Sequence, residues 1–224
     1  MKLALQTAVA SAFGLVFFGL ALFLPAGTLN YWQAWVFIAV FTVATAVPNI
    51  YLAVENPAAL QRRLRAGPTA ETRPIQKIAV SGTVVAVAVM LVVSALDHRF
   101  GWSAVPLAVN VAGNVLVAVG LVMAELVVIQ NSYASANITV EADQKLVSTG
   151  LYGLVRHPMY VGALIMMIGT PLALDSYWGL VAIVPGLIVL ALRITDEEKM
   201  LEQQLDGYRE YMQKVHFRLV PYVW

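Results

Sequence analysis

Long apolar runs separated by short polar breaks dominate the chain. Residues 3 to 24 carry no charge and end at Pro25-Ala26-Gly27, and about 20 such residues span a bilayer core. The run is longer than the roughly 7 to 15 apolar residues of a signal-peptide core, so it predicts a retained first membrane helix. Residues 31 to 53 predict a second, opening with the interfacial aromatics Tyr31, Trp32 and Trp35 and kinked at Pro48. From Val54 to Lys77 the pattern turns polar, with Arg62, Arg63, Arg65, Arg73 and Lys77 set among Pro57, Pro68 and Pro74, which predicts a loop on one membrane face. Ile78 to Leu96 is a third span. The polar turn Asp97-His98-Arg99 then leads to a fourth, from about Ser103 to Ile129.

The run from Met159 to Leu192 is apolar except for Asp175. As a single helix it would be about 51 Å long, against a hydrocarbon core of about 30 Å, so it must fold back. Pro171, Asp175, Ser176, Tyr177 and Trp178 supply the turn of a helical hairpin with arms near 159 to 173 and 177 to 193. The tail from Thr195 is too charged to span. Its apolar residues Leu201, Leu205, Tyr208, Met212, Val215 and Leu219 recur at helical spacing, weakened at Gly207, which predicts an amphipathic helix over the ends of the spans. The expected fold is an all-α integral membrane protein of about six membrane helices with that tail. It divides into a four-helix region, 1 to 129, and a region from 130 to 224.

Composition agrees. Hydrophobic residues make up 60% of the 224, charged ones 12%, and mean hydropathy is +0.75, whereas soluble domains carry about 25% charge. A net charge of +1 gives no sign of nucleic-acid binding, and the absence of cysteine removes disulfides, thiolate nucleophiles and zinc-thiolate sites; no metal is expected. Of the 14 basic residues, 13 fall on the face that holds both termini and the long loop, and Arg99 alone falls on the other. The basic face is therefore expected to be cytoplasmic.

Three groups of residues are candidates for chemistry. Asn110, Asn114 and Glu125 lie within about 60° of one another on the fourth helix. A carboxylate at membrane depth is expensive enough to mark Glu125 as functional, toward the substrate, or as a protonated partner in an interhelical hydrogen bond. The second group, Asn137 to Tyr160, has Gly150 and Gly153 for tight turns and then Arg156-His157-Pro158, where Pro158 suits the first turn of a helix and would present His157 beside the membrane. Interfacial snorkelling is the plain alternative for Arg156 and His157. The third begins where Arg193 and Glu197 share a helix face four residues apart; a solvated acidic face would equally explain Asp196, Glu197 and Glu198.

The ordered set Gln144-Lys145-Leu146-Val147, Gly150, Tyr152, Arg156-His157-Pro158, Tyr160-Val161-Gly162, then Arg193, Glu197-Glu198, Leu201, Tyr208, Tyr211 and Pro221 resembles the isoprenylcysteine carboxyl methyltransferase family, especially its bacterial members, over roughly residues 130 to 224. The resemblance implies a multi-pass enzyme of the bacterial inner membrane with its site cytoplasmic, using S-adenosylmethionine. Cofactor contacts would come from Gln144, Lys145, Leu146, Val147, Gly150, Tyr152, His157, Pro158, Met159, Tyr160, Glu197 and Glu198. Arg193, Glu197 and Arg156 would be catalytic, with Arg193 toward the substrate. Eukaryotic members usually have histidine at the position of Gln144 and often threonine at Ser148, and many bacterial relatives have proline at Leu151. The expected acceptor is a lipid-like molecule entering between helices. A carboxylate acceptor is already ionised near pH 7 and fits arginine; an amine acceptor, as in phospholipid N-methylation, would need Glu125 or His157 as base. An NADPH-dependent sterol-reductase-like enzyme and a non-catalytic membrane scaffold are the rival classes.

Overall fold

A computed structural model describes residues 2–64, 71, 73–134 and 144–224, and among these all regular structure is helical. Helices α1 (Lys2–Ala26), α2 (Trp32–Glu55), α4 (Pro74–Phe100), α5 (Leu107–Gln130) and the combined run Trp178–Gln204 are long and apolar enough to cross a membrane. A sixth apolar helix, α6 (Pro158–Ala173), has 16 residues, about 24 Å. The chain is a multi-pass membrane protein. Phe13, Leu24, Val47, Ile78, Val111 and Ile188 point outward, as lipid-facing positions should. The core forms where Leu22, Tyr31, Phe37, Leu91, Val117 and Leu174 meet.

Punctuation in the sequence sets most boundaries. Gly27 and Gly101 adopt left-handed backbone (φ +67° and +64°) directly after α1 and α4, a conformation cheap only for glycine. Pro74 and Pro158 occupy the first positions of α4 and α6, where the missing N–H costs nothing. Helix α2 runs on through Pro48.

Helices α5 and α6 pack most closely, because each places glycines seven residues apart on the shared face. A Cβ on Gly162 would lie 2.7 Å from the Gly120 carbonyl oxygen, and one on Gly169 2.7 Å from that of Gly113. Small residues at such positions let membrane helices approach backbone to backbone.

Three boundaries differ from the expectation, while the hairpin turns where its expected arms, near 159 to 173 and 177 to 193, place it. The polar stretch 54 to 77 contains a short helix, α3 (Pro57–Leu64), whose Ala59 N–H is capped by Asn56 Oδ1 at 3.1 Å; Arg65 lies outside the described residues. Helix α4 continues through Asp97, His98 and Arg99 instead of turning there, because the Asp97 carboxylate finds hydrogen-bond donors beyond the helix. Its carboxylate accepts from Ser103 N–H (2.7 Å), Ser103 Oγ (2.7 Å) and Ser176 Oγ (2.6 Å). The hairpin turns at Leu174–Tyr177, with Pro171 inside α6. There Asp175 takes φ +62°, the Tyr31 hydroxyl donates to Leu174 O at 2.5 Å, and Gln33 donates to Asp175 at 2.9 Å.

The last difference matters most for function. After the four-residue α7 (Trp178–Val181), α8 (Ile183–Gln204) does not stop near residue 193, since Thr195 to Gln204 contains no breaker; it carries Arg193, Asp196, Glu197 and Glu198 on a continuation of the spanning helix. The tail is not one amphipathic helix. Gly207 at φ +78° separates α8 from α9 (Tyr208–Lys214), and residues after Val215 leave helical structure.

Candidate active site

At the end of the bundle where α1 starts and α8 finishes, the polar segments enclose a cleft open to solvent. One wall is Gln144 to Val147 with Tyr152; a second is Arg156 to Tyr160 at the start of α6; the third is Glu197, Met200 and Leu201 of α8. Leu205, Tyr208 and Tyr211 of the tail close it, and Asn131, Tyr133 and Ala134 at the end of α5 form the rim. Residues 135–143 of the expected motif stretch lie outside the described residues.

The wall is built by interactions that the local sequence requires. Gly150 holds φ +59° with the Gln130 side chain against it, and Gln130 accepts from Leu151 N–H (3.2 Å) while donating to Thr149 O (2.7 Å). That fixes the turn before Tyr152. The Tyr152 hydroxyl accepts from Asn131 at 3.2 Å, and the Tyr211 hydroxyl donates to Tyr152 O at 2.7 Å. Burial pushes the Tyr152 phenol up to about 12 and raises Tyr208 and Tyr211 further. All three are neutral phenols near pH 7. The Tyr208 hydroxyl is buried in the wall without a hydrogen-bond partner among the described residues, an arrangement that costs free energy unless a ligand supplies one.

The tail is latched by buried charge. Arg156 donates from Nε to Glu198 Oε1 (2.6 Å) and from Nη1 to the carbonyls of Val215 and His216 (both 2.9 Å). His157 Nε2 lies 3.2 Å from the same Glu198 oxygen, and Arg218 Nε donates to Glu198 Oε2 at 2.8 Å. The backbone N–H groups of Arg156 and His157 donate to Phe217 O and Arg218 O at 2.9 and 3.0 Å. Glu198 is therefore a hub behind the wall, and Arg156 spends its guanidinium on the latch.

A second chain of contacts runs from the cleft inward. Tyr160 stacks on His157 (centroids 5.6 Å apart, 25° between planes) and its hydroxyl donates to Glu197 Oε2 at 2.7 Å. Arg193 Nε donates to that same hydroxyl at 2.9 Å, and Arg193 Nη2 to Glu71 Oε1 at 3.1 Å.

Of the residues singled out from the sequence, Gln144, Lys145, Leu146, Val147, Tyr152, Arg156, His157, Pro158, Met159, Tyr160 and Glu197 line the cleft. Gly150 and Glu198 lie just behind it, and Arg193 is linked to it through Tyr160. Glu125 is elsewhere. It is buried on α5 in an ion pair with Arg63 of α3, so the charged carboxylate has a partner that neither sequence reading supplied. Glu71, Asn131, Tyr208, Tyr211 and Arg218 were missed as site residues; the aromatic spacing of the tail was the available signal for two of them.

Residues 108–206 match the family model described as phospholipid methyltransferase. Two probable protein-S-isoprenylcysteine O-methyltransferases of Oryza sativa, one from subspecies indica and one from japonica, are each 35% identical over 120 residues, 51% of this chain and 62% of the relative. The chain is thus similar to methyltransferases of both descriptions. The residues matched by the family model run from α5 to the end of α8 and include all of the cleft lining except Tyr208 and Tyr211. The match spans under two thirds of those curated relatives. A Delta(14)-sterol reductase of Mus musculus is also similar, at 34% identity over 94 residues, 39% of this chain and 22% of the reductase.

Proposed function

We propose that the chain is a membrane methyltransferase that takes S-adenosylmethionine in the cleft and methylates the carboxylate of a lipid-like acceptor. The observation that carries the reading is the contact chain from the cleft wall through Tyr160 to Arg193, which links the polar cleft to a buried guanidinium. The lining suits the cofactor. Glu197 offers a carboxylate to an ammonium or sulfonium, Lys145 a charge for a carboxylate, and the unpartnered Tyr208 hydroxyl a donor for a heteroatom, among apolar Leu146, Leu201 and Leu205.

When bound, the cofactor supplies a methyl group on a sulfonium. A carboxylate acceptor would already be ionised near pH 7 and would need no base, so the chain would have to supply only a cation to hold it, the role Arg193 would take. The protein's part is positioning, which is the main source of rate in methyl transfer. Tyr160 accepts a hydrogen bond from Arg193 Nε and donates one to Glu197, so one phenol fixes the cation that would hold the acceptor and the carboxylate of the cofactor wall relative to each other. The basic end of the bundle, with 13 of 14 cationic residues, faces the cytoplasm in this reading, and the acceptor enters from the bilayer.

Similarity to the mouse sterol reductase supports one competitor, an NADPH enzyme. Calorimetric titration of the detergent-purified chain separates them. Micromolar binding of S-adenosylmethionine that Glu197→Ala and His157→Ala each abolish, with no binding of NADPH, is the expected result; NADPH binding alone would overturn the proposal, and full affinity in both variants would overturn the site.

A further inference from the structure

Behind Tyr160, on the side away from the cleft, Arg193 already holds an anion belonging to the chain itself. Its Nη2 donates to Glu71 Oε1 at 3.1 Å, and the two side chains, separated by 122 residues, are 6% and 2% exposed. A buried carboxylate is tolerated only when well paired, so this position needs a cause. The cause lies in its neighbours. Arg73 pairs with Asp196, and the fully buried Gln76 donates both to the Asp196 carboxylate and, at 3.4 Å, to the Arg193 carbonyl. The start of α4 is thereby fastened to the turn of α8 that bears Arg193 and Glu197, and Glu71 is delivered against the guanidinium by that anchor.

We infer that Glu71 is an internal stand-in for the acceptor's anionic group, pairing with Arg193 until a lipid carboxylate exchanges with it. The inference rests on the assignment of Arg193 to the acceptor. Chemically the exchange is conservative, since one guanidinium–carboxylate pair replaces another through Nη2 while Nε keeps its 2.9 Å bond to Tyr160. It also confers selectivity. A neutral acceptor would have to break the internal pair without replacing it, which is how sites reject analogues lacking the recognised group. Glu71 is thus a specificity-determining residue that acts through Arg193, and the cost is a lower apparent affinity for the true acceptor. A site available in only one molecule in ten, or one in a hundred, binds about 10- or 100-fold more weakly than its intrinsic constant.

The test uses the full chain in detergent, with N-acetyl-S-farnesylcysteine as the acid probe and its methyl ester as the neutral one. S-adenosylhomocysteine binding is measured separately on the same samples. Glu71→Gln keeps the side chain's size while removing its charge, and Glu71→Ala serves as a second variant. The expected result is acid binding tightened about tenfold or more in Glu71→Gln, with ester and S-adenosylhomocysteine affinities within about twofold of wild type. Acid affinity unchanged or weakened in a variant that still binds S-adenosylhomocysteine would overturn the inference, as would failure of the acid to bind any form of the protein. Loss of S-adenosylhomocysteine binding already in wild type would instead overturn the proposed cofactor, and the comparison of acid with ester would still decide the role of Glu71.

Discussion

Replacing Arg156 tests whether the tail is held over the cleft by one buried side chain. Arg156→Met removes the hydrogen bonds to Glu198, Val215 O and His216 O at 2.6, 2.9 and 2.9 Å from a residue that is 8% exposed. Breaking a buried ion pair by deleting one partner costs about 3–5 kcal/mol. Here Glu198 keeps Arg218 and His157, so the cost falls at or below the lower end, and two carbonyls left unbonded add little if they reach water when the tail lifts. A cost of about 2–3 kcal/mol raises the population of the open tail by about 30- to 150-fold, at a factor of ten per 1.4 kcal/mol. Hydrogen exchange reads this directly, because the backbone N–H groups of residues 156 and 157 are donors to Phe217 O and Arg218 O. Their protection should fall by about 30- to 150-fold, while amides in the α5–α6 contact around Val117 and Gly120 keep theirs. Arg156→Lys should lie between, since a single ammonium can pair with Glu198 but cannot also reach both carbonyls. Unchanged protection at 156 and 157, or equal loss throughout the bundle, would refute the latch.

Three further outcomes follow from the geometry. Gly162→Ala places a Cβ 2.7 Å from Gly120 O and should destabilise the bundle by about 1–3 kcal/mol, the usual cost of overpacking, seen as a lowered midpoint of thermal unfolding in detergent. Asp97→Ala removes the acceptor of Ser103 N–H, Ser103 Oγ and Ser176 Oγ and should likewise lower that midpoint, by about 1–3 kcal/mol of stability, yet leave S-adenosylhomocysteine affinity within about twofold because it lies at the opposite end from the cleft. Tyr160→Phe keeps the ring against His157 but cuts the link between Arg193 and Glu197; kcat should fall about 10- to 100-fold, as expected for a hydrogen bond to a charged group worth about 1.5–3 kcal/mol, with cofactor affinity nearly unchanged.

Helix cores were legible in the sequence because twenty apolar residues in a row admit few other structures in lipid, and the fold-back of 159 to 192 followed from length alone. Ends were legible where a local breaker sits, as at Gly27, Pro74 and Pro158. They were not where a distant partner decides. Asp97 stays inside α4 because Ser176, 79 residues away, donates to it, and a turn was the natural reading of Asp-His-Arg by itself. The continuation of α8 past residue 193 reflects the same blindness in reverse, since charge argued against a span but not against a helix. At the site, the motif residues from Gln144 to Tyr160 converge on one cleft, yet their roles divide by contacts that spacing does not encode. Glu198 and Arg156 form the tail latch, Tyr160 and Glu197 face the cavity, and Glu125 and Glu71 have arginine partners, Arg63 and Arg193, that lie 62 and 122 residues away.

The central claim, transfer of a methyl group to a lipid carboxylate, is tested most directly by incubating the purified chain with methyl-tritiated S-adenosylmethionine and a membrane lipid extract, then treating the labelled lipid with mild base. A carboxyl methyl ester releases its label as volatile methanol, which is the predicted result, and Arg193→Ala should abolish labelling. Label that enters lipid but survives base would assign the methyl group to nitrogen and contradict the carboxylate assignment; no label in any lipid fraction would contradict the methyltransferase reading itself.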